Sequence, residues 1–268
     1  MINLINEEKD KWRTLFQGAD ATISSVEALV YYSTFASISK PVLVRCSDGF
    51  DYVVKGQMQG QQWMDRALVA DRIVGSIGFI LGAPTPEIGF INLDPQLIDG
   101  NAGMKHLLPG VCHASRHIKD VSPDRETFGH FDFSENRLRF ARIAILYGLA
   151  FGNDHQFLYA LQEPHTVYSH DHGHFFPGGP NWSIASLQGA PDAESDLGTV
   201  SACALTQDEL AIAASSLGNL TNSSLLQVIA QIPPSWNFSL DEQIEVAMYL
   251  EKRRNQLAQK FSITIQPD

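Results

Sequence analysis

Three short stretches of this chain bring together residue types able to do polar chemistry. Lys55 closes the run Asp51-Tyr-Val-Val-Lys55, whose alternation sets Tyr52 and Val54 on one face of a strand and Val53 and Lys55 on the other. Gly152-Asn153-Asp154-His155-Gln156 lies between an apolar helical run and a strand-like one, and His170-Asp171-His172-Gly173-His174 follows the next strand-like run. Phosphoryl transfer from a nucleotide needs such a set. A Lys on a strand neutralises phosphate charge, and an acidic residue on a nearby helix holds that Lys. One loop Asp orients the acceptor hydroxyl, and a second holds the metal ions that bridge the phosphates. The candidates are Lys55, Asp71, Asp154 and Asp171. The histidines allow another chemistry. In an extended segment His170, His172 and His174 share one face, a spacing that can hold zinc for a hydrolase, with Asp171 or Asp154 as orienter or base.

These residues need elements to position them. Residues 41–45 and 51–55 read as a hairpin about the turn Ser47-Asp48-Gly49. Residues 61–81 read as a helix with an apolar stripe through Leu68, Ile73, Ile77 and Leu81, stopped by Gly82 and Pro84, and Asp71 lies on it. Residues 87–93 are strand-like, and 94–103 read as a loop and a lobe boundary. Residues 109–133 show little periodicity. Residues 136–150 form a second helix, apolar on most sides and therefore buried. Residues 157–161 and 166–169 suggest a hairpin around Glu163-Pro164. Thr206 with Glu209, and Ser239 with Glu242, are capping-box signatures. Residues 21–35 suit a strand or a short helix equally. Gly178 to Trp182 reads as a tight turn anchoring Trp182, and Lys252-Arg253-Arg254 as a solvated face.

Composition narrows the classes. The chain has 268 residues, enough for one domain or two lobes. Its 30 acidic residues against 19 Lys and Arg give a formal charge of −11, the wrong sign for a general nucleic-acid or anionic-membrane binder. Any phosphate-bearing ligand must then be held locally or through metal ions. The three cysteines, Cys46, Cys112 and Cys203, are far apart and suit small buried hydrophobes in a reducing compartment. The first residues, MINLINEEKDKW, do not read as a signal peptide, no stretch is long and apolar enough to span a bilayer, and a cytoplasmic location is expected.

The order Lys, helix acid, loop Asp, hairpin, Asp-x-Gly is that of a protein-kinase-like fold. Several pieces extend the match. They are Tyr52-Val-Val-Lys55, Leu68-Val-Ala-Asp-Arg72 running on to Leu81-Gly-Ala-Pro-Thr-Pro86, Pro109-Gly-Val-Cys-His-Ala-Ser-Arg116, Asn153-Asp154-His155-Gln156, Tyr168-Ser-His-Asp-His-Gly173 and Pro233-Pro-Ser-Trp236. In these the sequence resembles the HipA-like kinases. The resemblance implies a bilobal α+β fold, with a small β-rich lobe over residues 1–93 and a mainly helical lobe over 94–268. ATP and Mg2+ would lie between them, and the acceptor would be a hydroxyl of a protein or small molecule. Lys55 would contact the phosphates, with Ser47 and Gly49 as a phosphate-covering turn and His155 beside the nucleotide. Asp71 would pair with Lys55 where the family more often has Glu. Asp154 would be the catalytic Asp and Asp171 a magnesium ligand. The family loop Asp-Arg-His-x-x-Asn is altered: the fifth position after Asp154 is Tyr159, so Gln156 or Asn153 would supply the second metal-binding amide. That loss leaves a non-catalytic nucleotide-binding module as the alternative.

Overall fold

The computed structural model of the chain describes residues 2–125 and 128–268. Helix α1 (Ile2–Gln17) precedes five strands that close into a barrel. Strand β1 (Val26–Thr34) pairs antiparallel with β2 (Val42–Cys46), and β2 with β3 (Asp51–Lys55). After helix α2 (Trp63–Ile80), β4 (Ile88–Leu93) and the short α3 (Pro95–Gly100), strand β5 (Gly110–Arg116) inserts between β3 and β4. A short parallel contact of Val26 and Glu27 with β4 closes the ring. Val42, Val44, Val54, Ile91, Leu93 and Ala114 fill it. Residues 21–35, open between strand and helix, thus contain a strand, and residues 94–103 hold α3 rather than plain loop. Residues 109–133, which lack periodicity, supply β5 and β6 (Val121–Arg125), with 126 and 127 outside the described residues.

The second half is mainly helical. Helix α4 (Ser134–Ala150) is its buried centre, with eleven residues out of solvent. Strands β7 (Gln156–Ala160) and β8 (Val167–Ser169) join β6 in a small antiparallel sheet. Helices α5 (Ile184–Gln188), α6 (Leu197–Ala202), α7 (Gln207–Ala214), α8 (Asn222–Ala230) and α9 (Leu240–Lys260) complete it. Both expected capping boxes form, at Thr206 for α7 and at Ser239 for α9. Trp182 is fully buried, its indole donating to the Arg66 carbonyl at 3.0 Å. Among the described residues no helix is long and apolar enough to cross a membrane.

Two features depart from the division expected near residue 93. The barrel takes β5 from beyond that point. Helix α1 packs on α9, where Trp12 is buried and its indole donates to Glu251 at 2.8 Å.

The end of α4 explains a further correction. The last four carbonyls of a helix have no partner within it. Here the Tyr147 carbonyl accepts the Gly152 N–H, and the Ala150 carbonyl accepts that of Phe176. The Gly148 and Leu149 carbonyls accept from the Arg253 guanidinium at 2.6 and 2.8 Å, and a third bond runs from it to the Pro191 carbonyl at 2.7 Å. Arg253 and Arg254 are thus buried, not a solvated face; of that run only Lys252 reaches solvent. Arg253→Met should strand three carbonyls and lower stability by about 2–4 kcal/mol in urea unfolding; a loss below about 1 kcal/mol would show that they find other partners.

Candidate active site

Alternation in β3 turns Tyr52 and Val54 into the barrel and leaves Val53 and Lys55 on its outer face. Opposite them runs α2. Asp71 falls one turn beyond Ala67 and Leu68, on the buried side of that helix. The Lys55 ammonium donates to Asp71 Oδ2 at 2.8 Å and to Asp171 Oδ1. Asp171 follows β8 in left-handed conformation, φ +58°, a state that costs a non-glycine residue on the order of 1 kcal/mol. Gly173, two residues on, lies so close to α2 that a Cβ there would stand 3.2 Å from the Ala67 carbonyl oxygen. The Asp-x-Gly turn is thereby seated on the helix that carries Asp71.

Asp71 is the hub of the cluster. Besides Lys55 it accepts the His172 backbone N–H at 2.9 Å, and the His113 and His172 rings face its two oxygens at 3.7 Å each. Burial alone would raise the pKa of this carboxyl, but Lys55 and the two histidines hold it well below the ordinary carboxylate range. Burial likewise works against the Lys55 charge, and the Asp171 and Asp71 carboxylates outweigh it, so the ammonium is held above its usual pKa. Asp171 is depressed in turn, with Lys55 overcoming burial. Burial pushes both histidines down to about 4, leaving them neutral rings.

Two connected spaces meet at this cluster. One, of about 400 Å3, lies between the barrel and the small sheet, walled by Pro41, Val53, Ile118, Val121 and Leu158, with Lys55, Gln156 and Asp171 at its inner end. The other, of about 120 Å3, is lined by Lys55, Asp71, Asp154, Gln156 and Asp171 and covered by Ser37, Ile38 and Ser39. Lys55, Asp71, Asp154, Gln156 and Asp171 therefore converge. Gln156 donates to Asp154 Oδ2 at 2.6 Å, so its amide acts first on that carboxylate and leaves Oε1 as the atom for a cation. Asn153 spends its amide hydrogens on the His174 and Phe176 carbonyls.

Three expected nucleotide contacts lie elsewhere. Ser47 and Gly49 sit in the turn that opens β3, and the strand alone puts roughly 13 Å between that turn and Lys55. The segment over the phosphate-sized space is the β1–β2 connection, with Ser37, Ile38 and Ser39. Its small, hydroxyl-rich composition ahead of Pro41 was the available signal. His155 lines neither space: its Nε2 bonds Asp196 Oδ2 at 2.9 Å, and its ring packs on Tyr147 and Phe128. His113, missed among the candidates, is identifiable only through its pairing opposite Lys55 on β5.

The donor set suits a magnesium nucleotide. Among the described residues no three His, Cys, Asp or Glu side chains form a ready metal cage. Magnesium does not need one, since it takes one or two carboxylates and completes its shell with phosphate and water. Asp171, with Gln156 Oε1 on the same space and a buried ammonium beside it, could provide that. The zinc reading fits less well, because His172 is turned toward Asp71 and Ser169.

The class this architecture defines is the bilobal α+β protein-kinase-like fold. The fold aligns with the crystal structure of the Helicobacter pylori proinflammatory kinase CtkA at a TM-score of 0.57 and 9% identity, covering 89% of this chain and 98% of that one. Two Golgi casein kinase structures, the second with Mn/ADP bound, align at TM-scores of 0.45 and 0.48 with 10% and 9% identity, each covering 98% of this chain and 81% of the other. Residues 30–127, a little over a third of the chain, match the HipA-like kinase family model, which bears out the resemblance over that stretch. No curated protein matches the sequence.

The buried histidines give the cluster a pH signature. Their folded pKa lies below the ordinary 6.5, so between about 4 and 6.5 the unfolded chain binds protons that the folded chain refuses. Stability should therefore fall as pH drops from 7 toward 4.5. Replacing both with Gln should flatten that slope, and an unchanged slope in urea titrations of the double variant would place its origin elsewhere.

Proposed function

We propose that this protein is an ATP- and magnesium-dependent phosphotransferase, acting on a hydroxyl of a protein or small molecule. The observation that carries this reading is the convergence of Lys55, Asp71, Asp171 and Asp154 at the inner end of an apolar-walled cleft. The apolar walls would take the base, and Lys55, fixed by Asp71, would hold phosphate oxygens. Asp171 would hold the magnesium ion, with Gln156 Oε1 as a further oxygen ligand; the ion would supply charge neutralisation across the phosphates. Asp154 would orient the acceptor hydroxyl and take its proton late, as the bond to the leaving ADP oxygen breaks. The β1–β2 connection, rather than the Ser47–Gly49 turn, would cover the phosphates. Its two serines, Ser37 and Ser39, offer hydroxyls.

The two lobes would divide near residue 93 in the chain, with β5 returned to the first. All three cysteines are free and buried, their thiols pushed up to about 12 by burial, which suits a reducing compartment and supports a cytoplasmic location. One observation favours a second reading, a nucleotide-binding module without turnover: Tyr159, where the family pattern has a metal-binding Asn, is buried.

The two readings separate on one variant. Asp154→Ala should cut ATP turnover by roughly a hundredfold or more while nucleotide binding persists. A wild-type protein that binds ATP and never turns it over, with or without Asp154, would favour the binding module.

A further inference from the structure

Behind the Lys55 cluster three buried polar side chains run in a line. The Tyr147 hydroxyl lies 2.7 Å from Ser169 Oγ, and Ser169 Oγ lies 2.8 Å from His172 Nε2. The other ring nitrogen of His172 faces Asp71 Oδ1 at 3.7 Å, the oxygen that also accepts the His172 backbone N–H. All three side chains are at most 3% exposed, so their protons must find partners within the protein.

We infer that these residues form a one-way hydrogen-bond chain, Tyr147 to Ser169 to His172, that fixes His172 as its Nδ1–H tautomer and positions the Asp71 carboxylate. The direction follows from counting protons. Among the described residues the Tyr147 hydroxyl has one hydrogen-bond partner, Ser169 Oγ, so its single hydrogen goes there. Reversing the chain would leave a buried phenol O–H with no acceptor, at a cost of about 1–3 kcal/mol. With Ser169 Oγ accepting from Tyr147, its own hydrogen goes to His172 Nε2. A neutral imidazole carries one N–H, so that hydrogen sits on Nδ1, pointing at Asp71. The opposite tautomer would aim a lone pair at the carboxylate.

The chain joins the two halves of the site. Tyr147 belongs to α4, its carbonyl holds Gly152 at the start of the loop bearing Asp154, and its ring packs on His155. The far end holds the carboxylate that fixes Lys55. Tyr147, Ser169 and His172 are thus positioning residues that tie the placement of Lys55 to that of Asp154. This catalytic consequence rests on the phosphotransferase reading, whereas the tautomer does not.

Two measurements on the full chain test this. Long-range 1H–15N NMR of the 15N-histidine-labelled protein, with the His172 signals assigned by their loss in His172→Gln, should show the proton on Nδ1. Ser169→Ala should relax it to a mixture. A proton on Nε2, or a spectrum unchanged by Ser169→Ala, would overturn the inference whether or not the protein turns over nucleotide. Tyr147→Phe, which deletes only the hydroxyl, should lower kcat for MgATP turnover roughly tenfold with KM for ATP within about twofold. An unchanged kcat in an active wild type would refute the positioning role, and a wild type without turnover would count against the phosphotransferase reading alone.

Discussion

The buried ion cluster of Lys55 with Asp71 and Asp171 is the constraint on which the rest of the structure turns. An ammonium out of water is tolerated only beside compensating charge and hydrogen bonds. Here the two carboxylates come from α2 and from the turn after β8, so one side chain on a barrel strand ties together three segments remote in sequence. Separating β3 from α2 would leave the sealed Asp71 carboxylate without its ammonium. The packing around the cluster reads as a response to that demand. Gly173 lets the Asp171 turn approach α2 closely, and the His172 backbone N–H and two neutral histidines surround Asp71.

The same arrangement leaves function within reach. Asp171 keeps part of its carboxylate on the cleft, about a quarter of its side chain being exposed, whereas Asp71 is sealed. A ligand entering between barrel and sheet therefore meets one carboxylate that can exchange partners and one that cannot. Asp154 arrives from the other direction, on a loop whose start is fixed by the capped end of α4. Arg253 lies far in sequence from that loop, yet by holding the Gly148 and Leu149 carbonyls it settles where α4 stops.

Much of this was legible in the residues. Lys55, Asp71, Asp154, Asp171 and Gln156 could be picked out because each sits at a fixed offset from a strongly patterned element: an alternating strand, an apolar stripe, a Gly-Pro stop, an Asp-x-Gly turn. The helix around Asp71 and the paired capping boxes follow local rules and appear where those rules put them. The misplacements have a common cause. Ser47 and Gly49 lie in a good hairpin turn, but local pattern does not reveal which end of a hairpin meets the rest of the fold, and Lys55 is at the other end. His155 sits one residue from Asp154, yet its side chain turns to Asp196. Arg253 and Arg254 look like a solvated run until the carbonyls of distant residues are brought beside them. β5 is hidden in a stretch without periodicity because barrel pairing on both edges, rather than its own alternation, makes it a strand.

The central claim is that this cluster holds the phosphates of a magnesium nucleotide. Calorimetric titration of the full chain with ATP, with and without magnesium, tests it most directly when repeated on Lys55→Met. One site that needs magnesium for full affinity and is lost or strongly weakened in Lys55→Met is the predicted result. No binding, or binding equally tight in that variant and without magnesium, would contradict it.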